Sequence, residues 1–183
     1  MRLSALVLGL MLLASPAFAG ERMVAPCKGC LANAIAGAEP GDVLLLEDGR
    51  HEGAVTIDRT LTITGSREAV VDGLGKGTVI TIEAEGVVLR GFTVTGSGHV
   101  NADLDAGVKI RKGADRALIE GLLVEGNMHG IDVHGGRDAR VLGNTVIGTR
   151  HPHMNERGNG IYVWNSPGTL VEGNDVRYGR DGI

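Results

Sequence analysis

Val141-Leu142-Gly143-Asn144-Thr145-Val146, followed 17 residues after its glycine by Gly160-Ile161-Tyr162-Val163, is the stretch from which the fold can be read. Both halves recur. The first is matched by Leu89-Arg90-Gly91-Phe92-Thr93-Val94, Ile119-Glu120-Gly121-Leu122-Leu123-Val124 and Val171-Glu172-Gly173-Asn174-Asp175-Val176. An aliphatic residue stands two before the glycine and a valine three after it in all four. The second half is matched by Gly107-Val108-Lys109-Ile110, Gly130-Ile131-Asp132-Val133 and Gly182-Ile183. The two glycines are separated alternately by 16, 9, 17 and 9 residues.

A period of 22 to 30 residues, built from short β-branched runs bounded by glycine, is the pattern of a solenoid. The leucine-asparagine consensus of leucine-rich repeats is missing. The pattern predicts an all-β chain, a right-handed, single-stranded parallel β-helix of the pectin-lyase-like kind. Like residues should stack along its axis about 4.8 Å apart. Val94, Val124, Val146 and Val176 would form one internal ladder. Asn144 and Asn174 share a repeat position and would stack as an amide ladder at an inward turn.

Working back from the repeats, Val43 to Leu46, Val55 to Ile57, Leu61 to Thr64 and Val79 to Ile82 read as further strands. Leu31, Ala34, Ile35 and Ala38 have helical spacing, and Glu39-Pro40-Gly41-Asp42 ends that run. A short helix covering the open end of the coils is expected, since an uncovered sheet end invites aggregation. Residues 1–19 read as a secretory signal: Arg2, an apolar run from Leu3 to Leu13, then Ala17-Phe18-Ala19. The division is therefore a signal peptide (1–19), an N-terminal segment with Cys27, Cys30 and the capping helix (20–42), and coils over 43–183. Asp181-Gly182-Ile183 stops inside a repeat motif without the polar cap a solenoid needs, so further coils are expected beyond it.

Composition agrees. Thirty glycines and 3% aromatic residues suit many tight turns and argue against a helical bundle. A formal net charge of −4 carries no basic stripe for nucleic acid. The apolar run of the leader is too short to span a bilayer. Cys27 and Cys30 lack the following histidine of a haem attachment site. Export favours a local disulfide between them, with a soft-metal thiolate pair as the alternative.

The alternating spacing locates the chemistry. The long coils carry insertions at one turn, Ser97 to Ala106 and Thr149 to Asn159, and the coil between them turns there through Glu125 to His129. All three turns should lie on one corner of the solenoid, with the two loops about 9–10 Å apart. That corner collects His99, Met128, His129, His151, His153 and Met154, together with Asp103, Asp105 and Glu156. Imidazole suits copper, zinc, iron and nickel, and thioether adds a bias toward Cu(I). These six His and Met residues are the candidate metal ligands. Lys109, Asp132 and Tyr162 read as outward positions of one strand ladder, either a solvated sheet face or a groove floor with Tyr162 and Trp164 as stacking surface for a sugar or partner. His134 reads as stacking outside the barrel where Trp164 falls one coil later.

Met154-Asn155-Glu156-Arg157-Gly158-Asn159-Gly160-Ile161-Tyr162-Val163-Trp164-Asn165, followed by Val171 to Ile183, resembles the NosD family of periplasmic maturation proteins for nitrous oxide reductase. Pro40 to Val43, Gly65-Ser66 and Val71 to Gly73 resemble the wider carbohydrate-binding and sugar-hydrolase β-helix group. The resemblance implies a periplasmic β-helix, not an enzyme, that works with the membrane and ATPase subunits of an ABC transporter. Its implied role is assembly of the copper-sulfur centre of nitrous oxide reductase, handling copper or sulfur, with the reductase and a copper chaperone as partners. The runner-up is a polysaccharide lyase or hydrolase drawing on Asp103, Asp105, Asp132 and Glu156 with Arg157 or Lys109. A third reading is a structural adaptor without metal.

Overall fold

The computed structural model describes residues 19–183, so the expected signal peptide lies outside the described residues but for Ala19. The chain enters through strand β1 (Glu21–Val24) and helix α1 (Cys30–Ala36), then winds in coils of three short strands. The first coil is β2 (Val43–Leu46), β3 (Gly49–Glu52) and β4 (Val55–Ile57). The second is β5 (Thr62–Gly65), β6 (Ala69–Asp72) and β7 (Ile80–Ile82), and the third β8 (Val88–Arg90), β9 (Thr93–Thr95) and β10 (Ala106–Ile110). The fourth is β11 (Leu118–Glu120), β12 (Leu123–Asn127) and β13 (His129–His134). The fifth is β14 (Arg140–Leu142), β15 (Thr145–Gly148) and β16 (Ile161–Trp164), and β17 (Leu170–Glu172) and β18 (Asp175–Arg177) follow.

Each strand pairs in parallel with its counterpart one coil on. Three sheets result, ordered β1-β2-β5-β8-β11-β14-β17, β3-β6-β9-β12-β15-β18 and β4-β7-β10-β13-β16. This is a parallel β-helix. One aliphatic column runs through Leu44, Ile63, Leu89, Ile119, Val141 and Val171. A second runs through His51, Val71, Val94, Val124, Val146 and Val176, so the expected valine ladder is present and begins on a buried histidine whose Nε2 reaches Glu47 O at 2.9 Å. Most of these side chains are fully buried. Burying one such aliphatic is worth about 1.5–3 kcal/mol, and each coil touches only its neighbours, so stability accumulates coil by coil.

The glycines that open the second motif have a packing reason. A Cβ at Gly107 would sit 2.7 Å from Val124 Cγ1, and one at Gly130 or Gly160 would collide with Val146 or Val176. The valine ladder therefore takes the space that a side chain would need at the head of β10, β13 and β16. The two sequence motifs are one steric unit.

Asn144 lies buried at the inward turn. Its Oδ1 accepts from Leu122 N–H at 2.9 Å, and its Nδ2 donates to Ile119 O at 3.0 Å and to Asn174 Oδ1 at 2.9 Å. Asn174 continues the ladder by donating to Val141 O at 2.8 Å. Each amide closes backbone groups that a sharp corner leaves unpaired.

The N-terminal end differs from the sequence expectation in one respect. β1 lies within the segment placed ahead of the coils and pairs residue for residue with β2. Three of its four residues are exposed, so at the end of the stack it lacks the alternation that marks the other strands. Asp42 ties this end together, accepting from Gly20 N–H at 2.7 Å and Glu39 N–H at 2.9 Å. Helix α1 buries Leu31 and Ile35 against the first coil. Cys27 and Cys30 are joined by a disulfide, with Cα atoms 5.4 Å apart.

Asn144→Ala would leave Leu122 N–H and Ile119 C=O buried and unpaired. The expected loss is about 2–4 kcal/mol in denaturant unfolding. Asn174→Ala, at a half-buried rung, should cost less than half as much.

Candidate functional site

The corner between the second and third sheets carries both insertions. Coils with a loop advance 30 residues and the coil between them advances 22, as the pairing of Val88, Leu118, Arg140 and Leu170 shows. Parallel register then sets the loop after β9 and the loop after β15 on either side of the tight turn between β12 and β13.

Three polar residues fasten this arrangement. Asn127, buried in the tight turn, donates to Val94 O at 3.0 Å and accepts from Ser97 N–H at 3.0 Å. Ser97 Oγ accepts from Met128 N–H at 2.8 Å. Asp105 turns back within its own loop, taking Val100 N–H at 3.0 Å, while its carbonyl accepts His129 N–H at 2.9 Å. The second loop closes onto the same turn at Gly158, where any side chain would collide with the Met128 carbonyl.

His129 bridges the two loops. Its Nδ1 accepts Asn159 N–H at 3.1 Å from one, so its proton is on Nε2, which lies 2.9 Å from Asn101 Oδ1 on the other. Burial holds its pKa below the ordinary 6.5, and the charges of Arg180 and Lys109 act in the same direction. Both ring nitrogens are thereby committed within the protein. As it stands His129 frames the corner, and the lone pair a metal would need is already accepting a hydrogen bond.

The loops enclose a cavity of about 430 Å³ lined by His99, Asn101, Met128, Thr149, His151, Asn155 and Glu156. Three of the six candidate ligands, His99, Met128 and His151, therefore share one cavity. Met128 is buried, whereas His99 and His151 are exposed. His151 Nδ1 accepts His153 N–H at 3.2 Å, and the His151 carbonyl accepts from Arg157 Nε at 2.6 Å. Thr149 Oγ1 is buried without a hydrogen-bond partner. His153 and Met154 do not line the cavity. A 3₁₀ turn over Met154–Glu156 points Met154 outward, 60% exposed. Among the described residues no three His, Cys, Asp or Glu side chains stand close enough to hold a metal ion together.

The strand ladder outside this corner departs from its reading as a solvated face. Lys109, Asp132 and Tyr162 are in register, but Asp132 is fully buried. The loop after β9 folds back over it, a path the strand pattern does not encode. Asn127 and Ser97 were missed by sequence reasoning. The signal was present, because Gly126-Asn127 repeats the Gly-Asn pair of Gly143-Asn144 and Gly173-Asn174, with Gly126 and Gly143 both at positive φ.

The stacked sheets with insertions on one side define the class: a parallel β-helix with two loops leaving one corner. In sequence the chain is a homologue of NosD. It is 33% identical over 137 residues, 75% of its length, to the probable ABC transporter binding protein NosD of Pseudomonas aeruginosa and, to the same degree, to that of Stutzerimonas stutzeri. The chain spans about a third of the length of these relatives, 32% and 31%. No protein-family model matches it. Among solved structures, a mutant of the PL6 family alginate lyase AlyGC superposes with a TM-score of 0.59 at 20% identity, covering 85% of this chain and 26% of that one. A pectin methylesterase mutant in complex with a hexasaccharide superposes with a TM-score of 0.52 at 22% identity, covering 64% and 44%. These two likenesses concern the fold alone.

The bridge makes the corner pH-sensitive. A folded pKa below 6.5 means that the unfolded chain binds the proton more readily, so the stability supplied by neutral His129 is present above pH 6.5 and lost as pH falls toward the folded value. Wild type should be more stable than His129→Gln at pH 8, and the difference in Tm should shrink between pH 6.5 and 5. A difference that stays constant over that range would remove the bridge as the sensitive element.

Proposed function

We propose that the protein is an exported, periplasmic binding component that works with an ABC transporter, and that its looped corner handles copper during assembly of the copper-sulfur centre of nitrous oxide reductase. Two NosD relatives are named as probable ABC transporter binding proteins, which supports the transporter as partner. Among the described residues no helix is long and apolar enough to cross a membrane. An exported protein would dock on the transporter's membrane subunits and be coupled through them to the ATPase subunits on the other side. The reductase and a copper chaperone would be the other partners.

The observation that carries the copper reading is the cavity between the loops. It offers two imidazoles, His99 and His151, and the thioether of Met128. This donor set suits Cu(I) over the harder cations, which prefer carboxylate and water. Exposed imidazoles on loops, with His153 and Met154 outside the cavity as relay donors, suit a cargo that is received and released. Sulfur as cargo would use the same transporter but would draw less on these donors. The polysaccharide lyase or hydrolase reading is less well supplied. Asp103, Asp132 and Lys109 share one cavity, but Asp105 is committed to its own loop and Glu156 lines the other cavity.

Titration with Cu(I) against a chromophoric competitor tests this. The double variant His99→Ala with His151→Ala should weaken Cu(I) binding at least tenfold, and His153→Ala should weaken it less. Affinity unchanged in the double variant would exclude the corner as the copper site.

A further inference from the structure

A second cavity, of about 340 Å³, lies on the outer face of the β4-β7-β10-β13-β16 sheet, beneath the far side of the loop after β9. Its floor is Asp132. The side chain of Asp132 is 1% exposed, and neither carboxylate oxygen has a hydrogen-bond partner. Buried polar groups are almost always paired, and a carboxylate more than most, so two orphaned oxygens facing a cavity indicate a missing donor. The nearest cation, Lys109 Nζ, stands 3.7 Å from Oδ2, beyond hydrogen-bond reach, and donates instead to Asp103 O at 3.0 Å. His134 Nδ1 is 3.8 Å from Oδ1 and is itself buried and unpartnered. Three orphaned polar atoms therefore face one space.

The rest of the lining restricts what can supply the donor. Arg111, Lys112 and Asp103 complete the polar lining, and Leu104 gives one apolar wall. Arg111 Nε stands 3.7 Å from Glu83 Oε1, an exposed pair that leaves the guanidinium's other donors open. A divalent cation or an ammonium group placed on Asp132 would be set against Lys109. A neutral donor, a hydroxyl, meets the Asp132 oxygens without that repulsion. The two exposed cations, Arg111 and Lys112, are suited to an anionic group, and Arg111 to a carboxylate in particular, which its guanidinium can grip with two hydrogen bonds. The volume is at the small end of ligand cavities. We propose that this cavity binds a small hydroxylated carboxylate, its hydroxyl donating to Asp132 and its carboxylate held by Arg111 and Lys112.

The site is separate from the copper corner, although the loop after β9 forms a wall of each. Calorimetric titration of the full chain with gluconate, glucose, acetate, glycine and Ca²⁺ tests it. Gluconate should bind at least tenfold more tightly than glucose, which lacks the carboxylate, or acetate, which lacks the hydroxyl. Asp132→Asn should weaken gluconate binding at least tenfold. So should Arg111→Gln, a change at an exposed position that leaves folding undisturbed. The His99→Ala, His151→Ala double variant should bind gluconate as wild type does. Gluconate no tighter than acetate, affinity indifferent to Arg111→Gln, or preferential binding of glycine or Ca²⁺ would each overturn the proposal.

Discussion

Parallel hydrogen bonding between successive coils locks each residue to one partner above and one below, and everything else in the molecule follows from that register. Inside the coil it stacks valine on valine and isoleucine on isoleucine. At the corners it stacks glycine beside the valine ladder and asparagine on asparagine. A slip of one residue would turn each aliphatic column outward and send its polar neighbours into the core. The repeat is therefore enforced at every rung, and strands of only three or four residues suffice.

The same register decides where an insertion can go. A loop added between β9 and β10, or between β15 and β16, leaves the strands on either side in place, since the chain must rejoin the stack opposite its partner. Two insertions separated by one short coil must emerge on the same side, with that coil's turn between them. The short turn then acts as their common anchor. Asn127 and His129 hold one loop by backbone and side chain and touch the other through Asn159. The cavity and its His and Met donors are consequences of coil length as much as of residue type.

Burial divides the histidines by role. His129 is enclosed and spends both nitrogens on the loops, so its chemistry is structural and pH-dependent. His99 and His151 remain exposed on the cavity rim. His51 sits in the valine ladder, and His134 turns one nitrogen into the second cavity. Residue type and spacing alone treat His99, His129 and His151 as equivalent donors. Solvent exposure and hydrogen-bond commitment separate them.

The sequence by itself determined the solenoid, because a stacked fold writes its core period directly into the chain: aliphatic, glycine and valine at constant offsets can satisfy only one register. It also determined the shared corner, since unequal coil lengths at one position leave no other place for the extra residues. The NosD likeness was legible at Met154 to Trp164. Only the tertiary structure decided how the loops fold once they leave the stack, because their paths depend on contacts across coils that no period encodes. It set His129 between the loops, turned Met154 to solvent, and laid Asp103 and Leu104 over Asp132. It also added β1 to the stack, a strand whose exposure at the end of the coil leaves it without a burial pattern.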